Sequence, residues 1–322
     1  MRKILPTAIF CLLLTFFCSA NEGNTFTNCF DGIRVDKNSN VNVLGNTFNM
    51  NTAIDPNSAF GHAIFARNCT GTNLTVNNNT FTKYVTGIQV FNTPSSFINI
   101  SENTFSNPNG GAAAGATAIN IQNSTTNGVS IFTNKISFSQ IGIIGTNAKM
   151  LCDNNMITMP NTTSGAGKYY GIRLSNCALS TINQNTVTCS IAPSKKDTTK
   201  LYGVSIQTSA GTTLTENKFK DMGTGIECVG NMPGSTLSCN WIITCYRGLS
   251  LIGATIGDQI SNTRPQDNQW LMMQNGTLRI YSNLAGTPPN WWYRTGLTYT
   301  YIPSTSTALT LHTPLSTTPV CH

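Results

Sequence analysis

Charge is scarce in this 322-residue chain, with Asp, Glu, Lys and Arg together only 10% of it. Helical domains keep their outer faces in water with charged, helix-favouring side chains, so this shortage argues against a helical fold. Histidine is rarer still: His62 is read as a loop residue, and His312 and His322 fall in the tail, with no metal-ligand or triad spacing. The apolar run from Ala8 to Phe17 is too short to cross a bilayer. Arg2 and Lys3 precede it and Cys18-Ser19-Ala20 follow, so residues 1–20 read as a secretory signal cut after Ala20. Lipid attachment at Cys18 is the alternative, and bulky Phe17 fits it poorly. Without Arg2 and Lys3 the formal charge falls from +7 to +5, and the basic residues are scattered, so no nucleic-acid footprint is expected.

Asn, Thr, Ser and Gly are abundant instead, residues that suit strands and turns. The stretch NLTVNNNTFTKYVTGIQVFN, from Asn73 to Asn92, shows the unit that the chain repeats. An Asn-x-apolar step recurs at Asn24, Asn46, Asn79, Asn103, Asn134, Asn155, Asn185, Asn217 and Asn240. Three residues before it stands Val43, Val76, Ile100, Ile131, Cys152, Ile182, Leu214 or Leu237, which marks an inward strand position. After it comes a second short run opened by Gly or Ala, such as GIRV at Gly32, GIQV at Gly87 and GIRL at Gly171. Each repeat therefore supplies two short strands with a bend between them, and equal phase would let the Asn side chains form a hydrogen-bonded ladder. Phe48, Phe81, Phe105 and Phe219 would stack inside it. The step from Asn to second run is eight residues in some repeats and 15 to 18 in others. The long versions place insertions at 49–60, 106–117, 158–170 and 188–202, expected on one side of the array.

The recurring Asn-x-[Phe/Ile/Val] followed by Gly-Ile-x-[Val/Leu] resembles the right-handed parallel β-helix proteins of the pectate-lyase-like superfamily, especially secreted surface proteins of Bacteroidetes type. The resemblance spans about residues 24–257. It implies an all-β solenoid of about nine coils, while its known members range from lyases and hydrolases to adhesins. A leucine-rich repeat is the rival, since VSIFTNKI at 129–136 fits that template. Leucine does not dominate, however, repeat length varies from 21 to 33, and a second strand stands where a helix belongs. The expected organisation is a signal at 1–20, β-helix at 21–257, an aromatic-rich cap at 258–302 and a Ser/Thr/Pro-rich linker at 303–322. Trp291, Trp292 and Tyr293 read either as part of that cap or as a sugar-stacking platform.

Glycosidases need two carboxyl groups a few ångströms apart. The acids nearest in sequence are Asp31/Asp36 and Glu216/Asp221, and Glu102 and Glu216, in equal phase, are four coils or roughly 19 Å apart. Lyases of the resembled family use carboxylate-bound calcium and a basic residue, so Ca2+ is expected only under a lyase reading. No catalytic or metal residue is assigned and no cofactor is expected. The candidate ligand stripe is the outward position of the second run: Arg34, Gln89, Asn120, Arg173 and Glu227, with Ser205 and Ser250. Arg173 and Glu227, two coils or roughly 10 Å apart, could frame a sugar. The alternative is an ordinary solvated sheet face. The expectation is a monomeric, secreted or surface-displayed binder of polysaccharide or cell-surface glycan with no membrane span once mature. A lyase or glycosidase built from the insertions is the alternative, although these hold only Asp55 and Asp197 as acids. The Asn-x-Ser/Thr matches at Asn68, Asn73, Asn78, Asn99, Asn123, Asn161 and Asn275 are expected by chance in this composition.

Cysteine phase gives a further expectation. Cys29 with Cys245, and Cys69 with Cys177, share phase but are coils apart, too far to bridge. Cys152 and Cys228 fall at inward positions. Only Cys239 with Cys245, flanking the bend at Asn240, is placed to bond.

Overall fold

The computed structural model describes residues 18–20, 23–29, 31–37, 40–50, 61–71, 73–94, 96–107, 116–160, 167–190, 195–259, 267–271, 278–283, 290–292, 310–312 and 321. The short strands of successive repeats pair in parallel and in register, so equivalent residues stack into rows. One wall follows each bend: Thr25–Thr27, Thr47–Asn49, Thr80–Thr82 and their successors form a ten-stranded sheet. The other two walls merge into one sheet of 17 strands, because Thr117–Phe132 and Ile141–Asp153 run through both without a break. We call the wall of second runs (Ile33–Asp36, His62–Arg67, Thr86–Phe91 and onward) the first wall. The strands before the bend make the second wall, and the ten-stranded sheet is the third. Among the described residues there is no α-helix, only a 3-10 turn at Lys195–Thr199, which removes the leucine-rich alternative.

The core follows the inward rows. Val43, Val76, Ile100, Ile131, Cys152, Ile182, Leu214 and Leu237 are all buried and stand on successive rungs of the second wall. On the third wall Phe26, Phe48, Phe81 and Phe105 stack with centroids 4.8, 5.0 and 4.5 Å apart. Phe219 is buried but makes no stack, since its rung neighbours are Val187 and Ile242.

The bend between second and third walls is closed by the asparagine ladder. Asn79 Nδ2 donates to Asn103 Oδ1 at 3.0 Å, Asn103 to Asn134 at 3.0 Å and Asn134 to Asn155 at 3.0 Å. The ladder continues to Asn240, whose Nδ2 donates to Asn268 Oδ1 at 2.9 Å. The residue before each ladder Asn has left-handed backbone, and at most rungs it is not glycine: Asn78, Glu102, Thr133, Asn154, Gln184, Glu216, Cys239 and Asp267. Such a conformation costs an L-residue about 1 kcal/mol, and the buried amide bonds at each rung offset it.

Several expectations are corrected at the ends. Asn268 and Gln269–Leu271 add a further rung to the ladder and the third wall, so the repeat continues past 257. The stretch 303–322 is not simply a linker: Thr310–His312 pairs with Asn290–Trp292, and Cys321 is disulfide-bonded to Cys239. That bond replaces the expected Cys239–Cys245 bridge, because Cys245 points into the core and is free. Cys29 and Cys177 are free, and so are the buried Cys152 and Cys228. Cys18–Ala20, inside the segment read as signal, pairs with Val41–Val43 as a strand of the second wall. Part of each insertion (51–60, 108–115, 161–166, 191–194) lies outside the described residues.

Candidate functional site

Each second run opens with Gly or Ala for a steric reason. At Gly171 a Cβ would lie 2.5 Å from the Gly203 carbonyl oxygen and 2.5 Å from Val187 Cγ1. The chain turns there, and the turn breaks the alternation of the strand. Residues three apart, which alternation would send to opposite faces, meet on the outer face instead. Arg173 lies over the Tyr170 ring at 5.0 Å, His62 stacks on Phe65 at 4.8 Å, and Arg34 reaches Asp31 at 3.8 Å. The outer face of the first wall thus carries two adjoining rows.

One row is the stripe read from the sequence. In rung order it is Arg34, Phe65, Gln89, Asn120, Ile144, Arg173, Ser205, Glu227, Ser250 and Tyr281. All five stripe candidates stand in it, with Ser205 between Arg173 and Glu227. They do not converge on one point: Arg34 and Arg173 are five rungs apart, roughly 24 Å at parallel-strand spacing. Gln89 is buried despite its outward position. The second row was not recognised in the sequence, and it includes His62, Thr86, Tyr170, Tyr202 and Arg247. Its signal was present, as the residue before each opening Gly or Ala.

The two rows build a dense cluster around Tyr202. Tyr170 and Tyr202 are buried and stacked at 5.0 Å, with their planes 14° apart. Glu227 accepts a hydrogen bond from Ser205 Oγ at 2.6 Å and a second from the Tyr202 hydroxyl. Burial, with the Glu227 charge and the hydrogen bond to it, pushes the Tyr202 phenol well above its ordinary range. Burial does the same to Tyr170 against the opposing pull of Arg173. The Arg247 guanidinium lies 4.1 Å over the Tyr281 ring, and Lys168 lies 5.8 Å over Tyr202. Among the described residues neither Arg173 nor Arg247 has a carboxylate within ion-pair distance. Arg247 Nε is buried with no hydrogen-bond partner among the described residues.

The aromatic candidates divide. Trp291 is buried against Trp270, ring centroids 6.0 Å apart, so it is a core residue of the end region and no sugar-stacking surface. The Trp292 side chain and Tyr293 lie outside the described residues. His62, read as a loop residue, opens a first-wall strand and hydrogen-bonds Asp31 of the preceding coil. Among the described residues no group of three or more His, Cys, Asp or Glu is placed to hold a metal ion, and no helix is long and apolar enough to cross a membrane.

A sequence profile described as the right-handed beta helix region matches residues 21–105. With walls of parallel strands continuing far beyond that match, the chain is a right-handed parallel β-helix repeat protein. No curated protein and no solved structure matches it, so the narrower likeness to Bacteroidetes surface proteins has no counterpart.

Proposed function

We propose that this protein is a secreted or surface-displayed glycan-binding module, holding a polysaccharide along the first wall around Tyr170, Arg173, Tyr202, Glu227 and Arg247. The observation that carries the reading is the Arg247 guanidinium, held 4.1 Å over the Tyr281 ring with no carboxylate within ion-pair distance among the described residues. A guanidinium without a carboxylate partner keeps N–H donors for ligand oxygens. Tyr281 and Arg173 supply flat and charged surfaces beside it, suited to sugar rings and hydroxyls. The rows run along the solenoid axis, which favours an extended chain over a compact ligand. Glu227 is engaged by Ser205 and Tyr202, and its rung neighbours in the stripe, Ser205 and Ser250, supply no second acid of the pair that cuts a glycosidic bond. Of the two acids in the insertions, Asp197 is buried and Asp55 lies outside the described residues. The Cys239–Cys321 disulfide supports export to an oxidising compartment, as does the basic start and apolar run of residues 2–17.

Glycan-array binding of the purified chain, with a product assay on each glycan bound, tests this. The expected result is retention that Arg247→Ala weakens at least tenfold, with no shortened product. Release of unsaturated or reducing fragments would establish a lyase or hydrolase instead.

A further inference from the structure

The opposite end of the first wall carries a second cluster that glycan binding at Tyr202 leaves unused. We propose that His62, oriented by Asp31 and flanked by Arg34, activates water for the hydrolysis of acyl esters such as acetylated hydroxyls.

Asp31 Oδ1 lies 3.2 Å from His62 Nδ1 and also accepts the His62 backbone N–H at 3.3 Å. A carboxylate can only accept, so Nδ1 of the neutral ring carries the proton and Nε2 is left as the base. Burial tends to raise the Asp31 pKa, but the His62 hydrogen bonds and the neighbouring Arg34 charge outweigh it and keep the carboxyl anionic. The ring is further fixed by stacking on Phe65 at 4.8 Å. Arg34 also lies over the Phe65 ring, 5.3 Å from its centroid. Arg67 is already committed to Asp36, through Nε at 2.8 Å and Nη2 at 2.6 Å. Arg34 pairs more loosely, through a single nitrogen 3.8 Å from Asp31 Oδ2, and is the cation with donors left to meet a developing oxyanion. Thr86 is next to His62 in the row, yet no hydrogen bond joins the two among the described residues, which makes water the nucleophile.

The chemistry suits one base and one cation. His62 Nε2 takes a proton from water as its oxygen bonds to the acyl carbon, and the carbonyl electron pair moves to oxygen beside Arg34. Collapse breaks the bond to the alcohol oxygen, which receives the proton from His62. One ester and one water become an acid and an alcohol, with no redox partner.

The test uses the full chain and p-nitrophenyl acetate, a substrate too small to depend on the Tyr202 cluster, so it stands apart from the glycan reading. Turnover above buffer is expected, with His62→Ala lowering kcat about 100-fold and added imidazole restoring part of it. Asp31→Asn is expected to lower kcat with KM unchanged, and Asp31→Glu to recover part of the loss, as suits a positioning residue. His62→Gln, which keeps a donor for Asp31, replaces His62→Ala if circular dichroism shows that variant unfolded. No turnover above buffer, or full turnover by a folded His62 variant, overturns the proposal.

Discussion

Cys239 is disulfide-bonded to Cys321 across 82 residues, their Cα atoms 5.5 Å apart. The bond ties the end of the chain to the bend beside Asn240, one residue before a ladder position. Closing a loop of this length stabilises by about 2–4 kcal/mol. Cys239→Ser and Cys321→Ser should each lose about that amount in urea unfolding, and the double variant should lose no more than either alone. Non-reducing peptide mapping should find this pair and leave Cys245 as a thiol. A Cys239–Cys245 peptide would contradict it.

That pairing shows where sequence reasoning stopped. Phase fixed which wall each cysteine belongs to, and it correctly kept Cys29 from Cys245 and Cys69 from Cys177. It carried no information on Cys321, which lies outside the repeat, and proximity to the bend hid the inward direction of Cys245. The inward rows were legible for the opposite reason. Val76 or Ile182 must be apolar wherever the wall is closed, so eight repeats report the same constraint. The site was half legible: Arg173 and Glu227 could be placed by counting, but Tyr202 and Arg247 reach the same face only because the chain turns at the opening glycine.

The ladder should be unequal along its length. Asn134 Nδ2 donates to Asn155 Oδ1 and to the Ile100 and Phe132 carbonyls, while its Oδ1 accepts from Asn103. Asn24 is the first of the ladder positions and is exposed, its Nδ2 donating to Asn46 Oδ1 at 3.0 Å. Asn134→Ala strands several buried groups and should cost roughly 3 kcal/mol or more. Asn24→Ala should cost clearly less. Equal costs in urea melts would mean that the amides do not act as a continuous ladder.

The turn at the opening glycine sets a packing limit. A Cβ at Gly171 would meet backbone of the next coil as well as Val187, so neighbouring rotamers cannot make room. Gly171→Val is expected to destabilise by about 1–3 kcal/mol and to disturb the pairing of Tyr170 with Arg173. Thermal melts together with glycan binding would show both effects, and an unchanged Tm would deny the close approach.

Acid should weaken the first coils through Asp31. Its folded pKa is depressed below the unfolded value, as burial is outweighed by His62 and Arg34. The sign follows: the contribution is fully present above the unfolded carboxylate range and disappears as pH falls through the folded pKa. Asp31→Asn should therefore lower stability at neutral pH and flatten the acid limb of the stability curve. A mutant whose acid limb is as steep as that of the parent would show that Asp31 is not held in this way.

The far end of the solenoid should depend on Trp291. Its ring is buried against Trp270, which itself stands on the rung beyond Ile242. Removing everything after residue 257 would strip both rings, the Asn268 amide and the disulfide, and leave Trp241–Ile243 as an open sheet edge. Such edges pair with other chains, so the truncated protein is expected to aggregate, as followed by light scattering. Trp291→Ala is the milder probe and should cost about 3–5 kcal/mol while glycan affinity at the distant Tyr202 cluster stays unchanged. Loss of binding with no loss of stability would place Trp291 on a ligand surface and overturn its assignment to the core.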